Sequence, residues 1–234
     1  MKLPHKTLEK GLFNKGYGYV CAVDEVGIGC LAGPVVVCAV GMTSTFHKKI
    51  HKKLHNLRES KLLLPKQREK FARWLIEDQQ LVYTLASSSP KVIDKINIYQ
   101  AARRAMRRAV QKVSSISYPV SSTKNQKIPN TKYQIQDTGI KTMVLIDGPH
   151  KISKLDIEQI PVVKGDRKIF AIACASIIAK VHRDHLMIKM AKRYPGYGLE
   201  RHKGYGTKYH QSQLAALGPS AIHRRSFAPV RKML

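Results

Sequence analysis

Acidic side chains are scarce: fifteen Asp and Glu stand against forty-two Lys and Arg in 234 residues, a formal charge of +27. A chain this basic repels itself unless some face meets a polyanion, so nucleic acid is the first partner class, with a ribosome-associated or generally basic protein as the bland alternative. Long apolar runs are missing. None approaches the roughly 18 residues needed to span a bilayer, and the basic segments lack the apolar stripe of an interfacial helix, which argues against a membrane partner. Cys21, Cys30, Cys38 and Cys174 show no Cys-x-x-Cys spacing, and three lie in or beside apolar runs. They read as reduced packing residues, not zinc ligands or a disulfide frame. The amino terminus has no apolar signal core, so the cytoplasm is the expected location. No Gly-Lys-Ser/Thr phosphate loop or strand-to-helix glycine fingerprint is found, which disfavours an organic nucleotide cofactor.

What is present follows an α/β pattern. Residues 19–42, YVCAVDEVGIGCLAGPVVVCAVGM, are β-branched at both ends and glycine-rich between, which predicts two strands joined by a tight turn with Asp24 and Glu25 near the end of the first. A polar His/Lys-rich loop, FHKKIHKKLHNLRESK, precedes a helix opened by Pro65. LVYTLASSS reads as a strand, and KVIDKINIYQAARRAMRRAVQKV as one long helix. On it Ile98, Ala102, Met106 and Val110 recur every four residues, while Arg103, Arg104, Arg107 and Arg108 point elsewhere. Residues 114–138 are polar with little periodicity and read as a flexible surface insertion, in which YQI could add an edge strand. TMVLIDG is a short buried strand ending at Asp147; IFAIACASIIAKVHRDHLMIKMAKRY is a helix largely surrounded by core. A glycine and tyrosine loop, a short helix and a basic tail complete the chain. Strands followed by helices, with an early hairpin, indicate a mixed central β-sheet flanked by helices.

The few carboxylates are placed against expectation. Asp24, Glu25 and Asp147 end apolar runs, where desolvation penalises an unpaired charge. Carboxylates converging at strand ends make an oxygen-only site suited to Mg2+ or Mn2+, and two such ions about 4 Å apart can drive phosphodiester hydrolysis. Asp166, in VVKGDRK, is a fourth candidate. Two bland readings stay open: Asp147 followed by Gly148 as a plain turn, and Asp166 after Gly165 as a helix cap. Gly27, Gly29 and Gly33 would let main chain approach a sugar-phosphate backbone, or form an ordinary hairpin turn.

Seven blocks in order, VDEVGIGCLAGPVV, SKLLLPKQRE, INIYQAARRAMRRAV, VLIDG, VVKGDRKIFAIACASIIAKVHRD, YPGYGLERHKGYGT and LGPSAIHRRSFAPV, resemble the ribonuclease HII family. The resemblance implies a ribonuclease H-like fold in a single catalytic domain over 18–231, with a small C-terminal helical extension from about residue 194 and residues 1–17 as an N-terminal extension. It implies endonucleolytic cleavage of RNA in RNA/DNA hybrids and on the 5′ side of ribonucleotides embedded in DNA, leaving 3′-hydroxyl and 5′-phosphate ends. The work would be primer removal and ribonucleotide excision; a monomer is the expectation for want of an oligomerising stripe in the sequence. It assigns two divalent ions, Mn2+ or Mg2+, to Asp24, Glu25, Asp147 and Asp166. It assigns sensing of the ribose 2′-hydroxyl to Gly27, Ile28 and Gly29, and sugar packing at the DNA side of the junction to Tyr205. Ser60, Lys61, Lys164, Lys180, Arg183 and Arg224 fall on blocks that meet the substrate backbone. His202, His223 and Arg225 are further candidate phosphate contacts, and Asp184 is either an accessory acid or a helix salt-bridge partner.

Two departures stand out. The family usually carries arginine where this chain has Ile28, and proline where it has Cys30. An apolar Ile28 cannot donate to phosphate, which predicts weaker affinity or junction preference without loss of the metal site. The rivals are a related metal nuclease preferring long hybrids and a noncatalytic basic nucleic-acid-binding protein; the four carboxylates argue against the latter. No additional amino-terminal substrate-binding domain of the ribonuclease HIII kind is expected.

Overall fold

The computed structural model describes residues 4–50, 54, 60, 63–78, 80–115 and 140–234. Lys61, the YQI stretch and all but the first two residues of the 114–138 segment lie outside the described residues.

The two apolar runs near the start become β1 (Tyr19–Val26) and β2 (Val35–Met42), antiparallel, with β2 buried along its whole length. Continuous β-branched runs suit strands covered on both faces. β3 (Val82–Ser88) pairs with β2, while β4 (Thr142–Asp147) and β5 (Glu158–Val162) add in parallel, giving the order β3-β2-β1-β4-β5. The sheet is mixed, as the sequence pattern predicts. β5 was not anticipated. It is an edge strand, where Pro161 costs no ladder bond on the open side.

Two helices cover the two faces. α7 (Phe170–Arg193) packs Ile172, Ala175 and Ala179 among Val20, Ala22, Val40 and Leu145. α5 (Ile98–Ser114) packs Ala105, Met106, Ala109 and Val110 against Cys21, Val23, Val37 and Ile146. Each fully buried Ile or Val contributes about 1.5–3 kcal/mol relative to exposure, so these stripes hold the layers together. The other helices are α1 (Thr7–Asn14), α2 (Ser44–Ile50), α3 (Pro65–Glu77), α4 (Pro90–Ile96), α6 (Gly165–Lys168), α8 (Leu199–His202), α9 (Lys208–Leu217) and α10 (Ala228–Arg231). The last three form a C-terminal lobe around Leu199, Leu214, Ile222 and Val230, into which Leu31, Ala32 and Met187 insert.

Four local expectations change. The long helix predicted over 91–113 is broken into α4 and α5 at Asn97, whose φ of 64° is left-handed and whose side chain caps Gln100 N at 3.0 Å. Asn tolerates that region because its short amide bonds locally. Part of the His/Lys-rich loop is α2, anchored by buried Phe46 and Ile50. The β1–β2 connection is a loop over 27–34 rather than a tight turn. Residues 1–17 include α1, whose buried Glu9 accepts from Ala171 N at 2.9 Å and so caps the start of α7. Among the described residues no helix is long and apolar enough to cross a membrane.

Candidate active site

Strand register builds the site. β1 and β4 run parallel with Val23 opposite Ile146, so the next residue on each strand is an aspartate, Asp24 and Asp147, at one edge of the sheet. Side chains alternate along a strand. Asp24 therefore shares the α7 face with Val20 and Ala22, and Asp147 shares it with Leu145. Glu25 follows Asp24 on the same strand and lines the rim on both sides.

Asp166 arrives from α6 through a close contact. Gly165 N donates to Asp147 Oδ1 at 2.6 Å, with Lys164 just before it in the left-handed region at φ 57°. The four carboxylates line one cleft of about 350 Å3, together with Gly27, Ile28, Gly29, Ser60, Ser176, Lys180 and Tyr205. Asp24 is 5% exposed. Burial, then the charges of Glu25 and Asp147, hold its carboxyl well above the usual range; a Ser176 hydrogen bond works the other way, and Asp166 adds to the rise. Four oxygen donors crowded at a buried strand end suit a hard divalent cation. Among the described residues no group of three His, Cys, Asp or Glu is drawn together closely enough to hold a metal ion as it stands. An open set of carboxylates with room for water and phosphate fits an ion that keeps part of its own hydration.

The opposite wall is a double layer of main chain. Loop 27–34 is stitched to the turn that carries Tyr205: Leu31 N donates to Gly204 O at 2.8 Å, and Cys30 bridges to Tyr205. A Cβ on Gly204 would lie 2.4 Å from Ala32 O, so only glycine permits this approach. Beneath lie two arginines, each 0% exposed. Arg183 donates to Pro34 O at 3.0 Å, Ala32 O at 3.1 Å and Lys203 O at 2.9 Å. Arg224 donates to Gly33 O at 3.0 Å and Ile28 O at 2.8 Å. Burial lowers Arg224 to about 10, which leaves it cationic at neutral pH. A Cβ on Gly27 would fall 2.4 Å from Arg183 Nε.

The residues named from sequence thus divide. Asp24, Glu25, Asp147, Asp166, Gly27, Ile28, Gly29, Ser60, Lys180 and Tyr205 meet in the cleft. Lys164 is exposed beside it, and Asp184 holds Lys180 Nζ at 2.7 Å, the geometry of a helix salt bridge. Arg183, Arg224 and His223 lie beneath the surface, hydrogen-bonded within the protein, away from any phosphate path on the exterior. Arg225 uses its main-chain N–H to meet Asp94 Oδ2 at 3.1 Å. His202 is tied to Tyr197 O at 2.8 Å. Ser176 was not singled out from sequence, although its i,i+4 spacing to Lys180 places both on one stripe of α7. A second cleft of about 560 Å3 abuts the first across Glu25, Ile28 and Asp147, and is lined beyond them by Asn97, Arg103 and His150.

The ribonuclease HII family model matches residues 21–230. The chain is 41% identical over 220 residues to ribonuclease HII of Caldicellulosiruptor bescii, covering 94% of this chain and 91% of that one. It is 39% identical over 237 residues to ribonuclease HII of Acholeplasma laidlawii, covering 100% and 99%. In structure it is similar to ribonuclease H2 of Pyrococcus horikoshii, with a TM-score of 0.63 at 23% identity over 92% of this chain and 96% of the other. It is also similar to Bst-RNase HIII in complex with Mn2+, with a TM-score of 0.64 at 17% identity over 98% and 73%. These two likenesses extend the agreement in fold. Sequence agreement from β1 to α10 places the chain within the ribonuclease HII family, as a metal-dependent endoribonuclease.

Proposed function

We propose how this cleft carries out the family reaction, endonucleolytic cleavage of RNA in RNA/DNA hybrids and of ribonucleotides embedded in DNA. The cut falls on the 5′ side of the ribonucleotide and leaves 3′-hydroxyl and 5′-phosphate ends. Asp24, Glu25, Asp147 and Asp166 hold two divalent ions, Mg2+ or Mn2+. Bound there, the ions supply Lewis acidity at the attacking water and at the departing 3′ oxygen.

The chain's own residues do the rest. The carboxylates gathered around buried Asp24 carry the reading, because burial and the charges of Glu25 and Asp147 disfavour its anion and a bound cation would relieve that penalty. Main chain of Gly27 to Gly29 approaches the ribose closely enough to exchange hydrogen bonds with a 2′-hydroxyl, the group that separates RNA from DNA. Tyr205, across the cleft, packs on the neighbouring sugar. Lys180, oriented by Asp184, and Ser60 face the scissile strand. Arg183 and Arg224 act from below by fixing the loop's carbonyls. Contacts of this kind register backbone, so base sequence has little influence on cutting.

The test is divalent-ion-dependent cleavage of a DNA duplex containing one ribonucleotide, beside a continuous RNA/DNA hybrid. Incision 5′ of the lone ribonucleotide that disappears in Asp24→Asn is the expected outcome. Binding of both substrates without incision in either ion would overturn the reading.

A further inference from the structure

We infer that His210 and His223 are positioning residues for Tyr205, a one-way chain of hydrogen bonds running from Ser220 through two neutral imidazoles to the Tyr205 carbonyl. The inference rests on the reading that Tyr205 meets the substrate.

The direction of every link follows from the chemistry of its ends. A carbonyl oxygen only accepts, so His210 Nδ1, 2.9 Å from Tyr205 O, carries a proton. In the neutral ring Nε2 is then an acceptor, and His223 Nε2 at 3.2 Å must donate to it. His223 Nδ1 is left to accept, and both Ser220 N at 3.1 Å and Ser220 Oγ at 3.0 Å point donors at it. An extra proton on His223 would face the Ser220 N–H; on His210 it would face the His223 N–H. Both rings are buried, His210 at 0% and His223 at 2% exposure, so no water relieves that conflict.

The held turn has need of a clamp. Lys203 at φ 53° and Gly204 at φ 86° are both left-handed, a costly state for a lysine. Tyr205 O also accepts from Thr207 N at 2.9 Å, and Tyr205 N donates to His202 O at 3.0 Å. His202 belongs to the same assembly: its ring stacks on His210 at 4.2 Å, and its Nδ1 accepts from Gly204 N at 3.2 Å. The Tyr197 ring covers His223 at 4.7 Å. The groups bearing on His210 and His223 are imidazoles, main chain and the Ser220 hydroxyl, whereas Glu200, Arg201 and Lys203 bear on His202. Burial lowers all three histidines, His223 to about 4, in keeping with rings that stay neutral.

Two measurements test this. Nitrogen-15 chemical shifts of the imidazoles in the free protein at pH 7 should give His210 as the Nδ1–H tautomer and His223 as the Nε2–H tautomer; the reverse assignment of either overturns the chain whatever the kinetics. With the single-ribonucleotide duplex, His210→Leu should raise KM about tenfold with little change in kcat, the loss of one buried hydrogen bond. His210→Asn, which keeps a donor for Tyr205 O, should recover most of that loss, and in a Tyr205→Ala background His210→Leu should add nothing. Equal loss in His210→Leu and His210→Asn, or full additivity with Tyr205→Ala, would sink the positioning role. No effect of Tyr205→Ala itself, with the expected tautomers present, would instead overturn the assignment of Tyr205 to the substrate.

Discussion

Gly165 and Asp147 are held in a contact that leaves little room for a side chain at 165: Gly165 N lies 2.6 Å from Asp147 Oδ1, and a Cβ there would fall 3.2 Å from that oxygen and 2.5 Å from Ile172 Cδ1. Gly165→Ala must therefore turn the Ile172 side chain aside and move the Asp147 carboxylate by a few tenths of an ångström. It should lower kcat by at least tenfold while costing about 1–3 kcal/mol of stability. Paired steady-state kinetics and thermal melts check this; unchanged kcat would mean the spacing of Asp147 and Asp166 is not critical.

Arg183 and Arg224 offer a sharper discrimination, because a buried clamp and a phosphate contact respond differently to salt. Arg224→Lys loses the planar fork that reaches Gly33 O and Ile28 O together. The expected cost is about 2–3 kcal/mol, a drop in Tm of roughly 5–10 °C. The slope of log affinity against log salt should stay as in the parent chain. In the uncharged Arg224→Gln the slope should also hold; a slope smaller by about one there would instead identify Arg224 as a phosphate ligand.

Asp24 couples the cleft to pH. Its folded carboxyl titrates well above the ordinary range through burial and the Glu25 and Asp147 charges, so its favourable share of stability is present at acid pH and is lost as pH rises through the raised value. In chelator, Asp24→Asn should thus melt higher than the parent chain at pH 8, with the gap narrowing at pH 4. Adding Mg2+ or Mn2+ should stabilise the parent, by about 2.7 kcal/mol at a hundredfold excess over Kd, and the variant far less. Melting curves with and without the ion decide it.

Ile28 lies on the ridge between the two clefts and brings no charge to either. Ile28→Arg should tighten binding of the single-ribonucleotide duplex and steepen the salt dependence by about one unit. Filter binding at several salt concentrations reads both; an unchanged slope would show that no phosphate passes this ridge.

Much of this was legible in the residues. Asp24, Glu25 and Asp147 betray themselves as charges ending apolar runs, and the mixed sheet follows from β-branched segments alternating with helical ones. The break at Asn97 was hidden because KVIDKI before it and IYQAARRAMRRAV after it both read as helix with no Pro or Gly between, and only a left-handed φ reveals the interruption. The burial of Arg183 and Arg224 was hidden for a different reason. Their partners are carbonyls of loop 27–34 and, for Arg183, of Lys203, and no side-chain pattern announces a carbonyl that needs a donor. Likewise His210 in the short helix and His223 in the basic tail look like surface residues until the lobe folds around them.

The central strand has a consequence for how activity is acquired. β1 finds β2 at once along the chain, yet its other neighbour, opposite Val23, is Ile146, far downstream. Pairing over such a separation closes a long loop before any contact rewards it. A chain cut short before β4 can form the hairpin and display Asp24 and Glu25, but it holds only half of the acid cluster and lacks the Tyr205 turn to which loop 27–34 is stitched. Complementation between fragments would have to rebuild the middle of the sheet, so competence for cleavage should emerge in a single step with the completed fold.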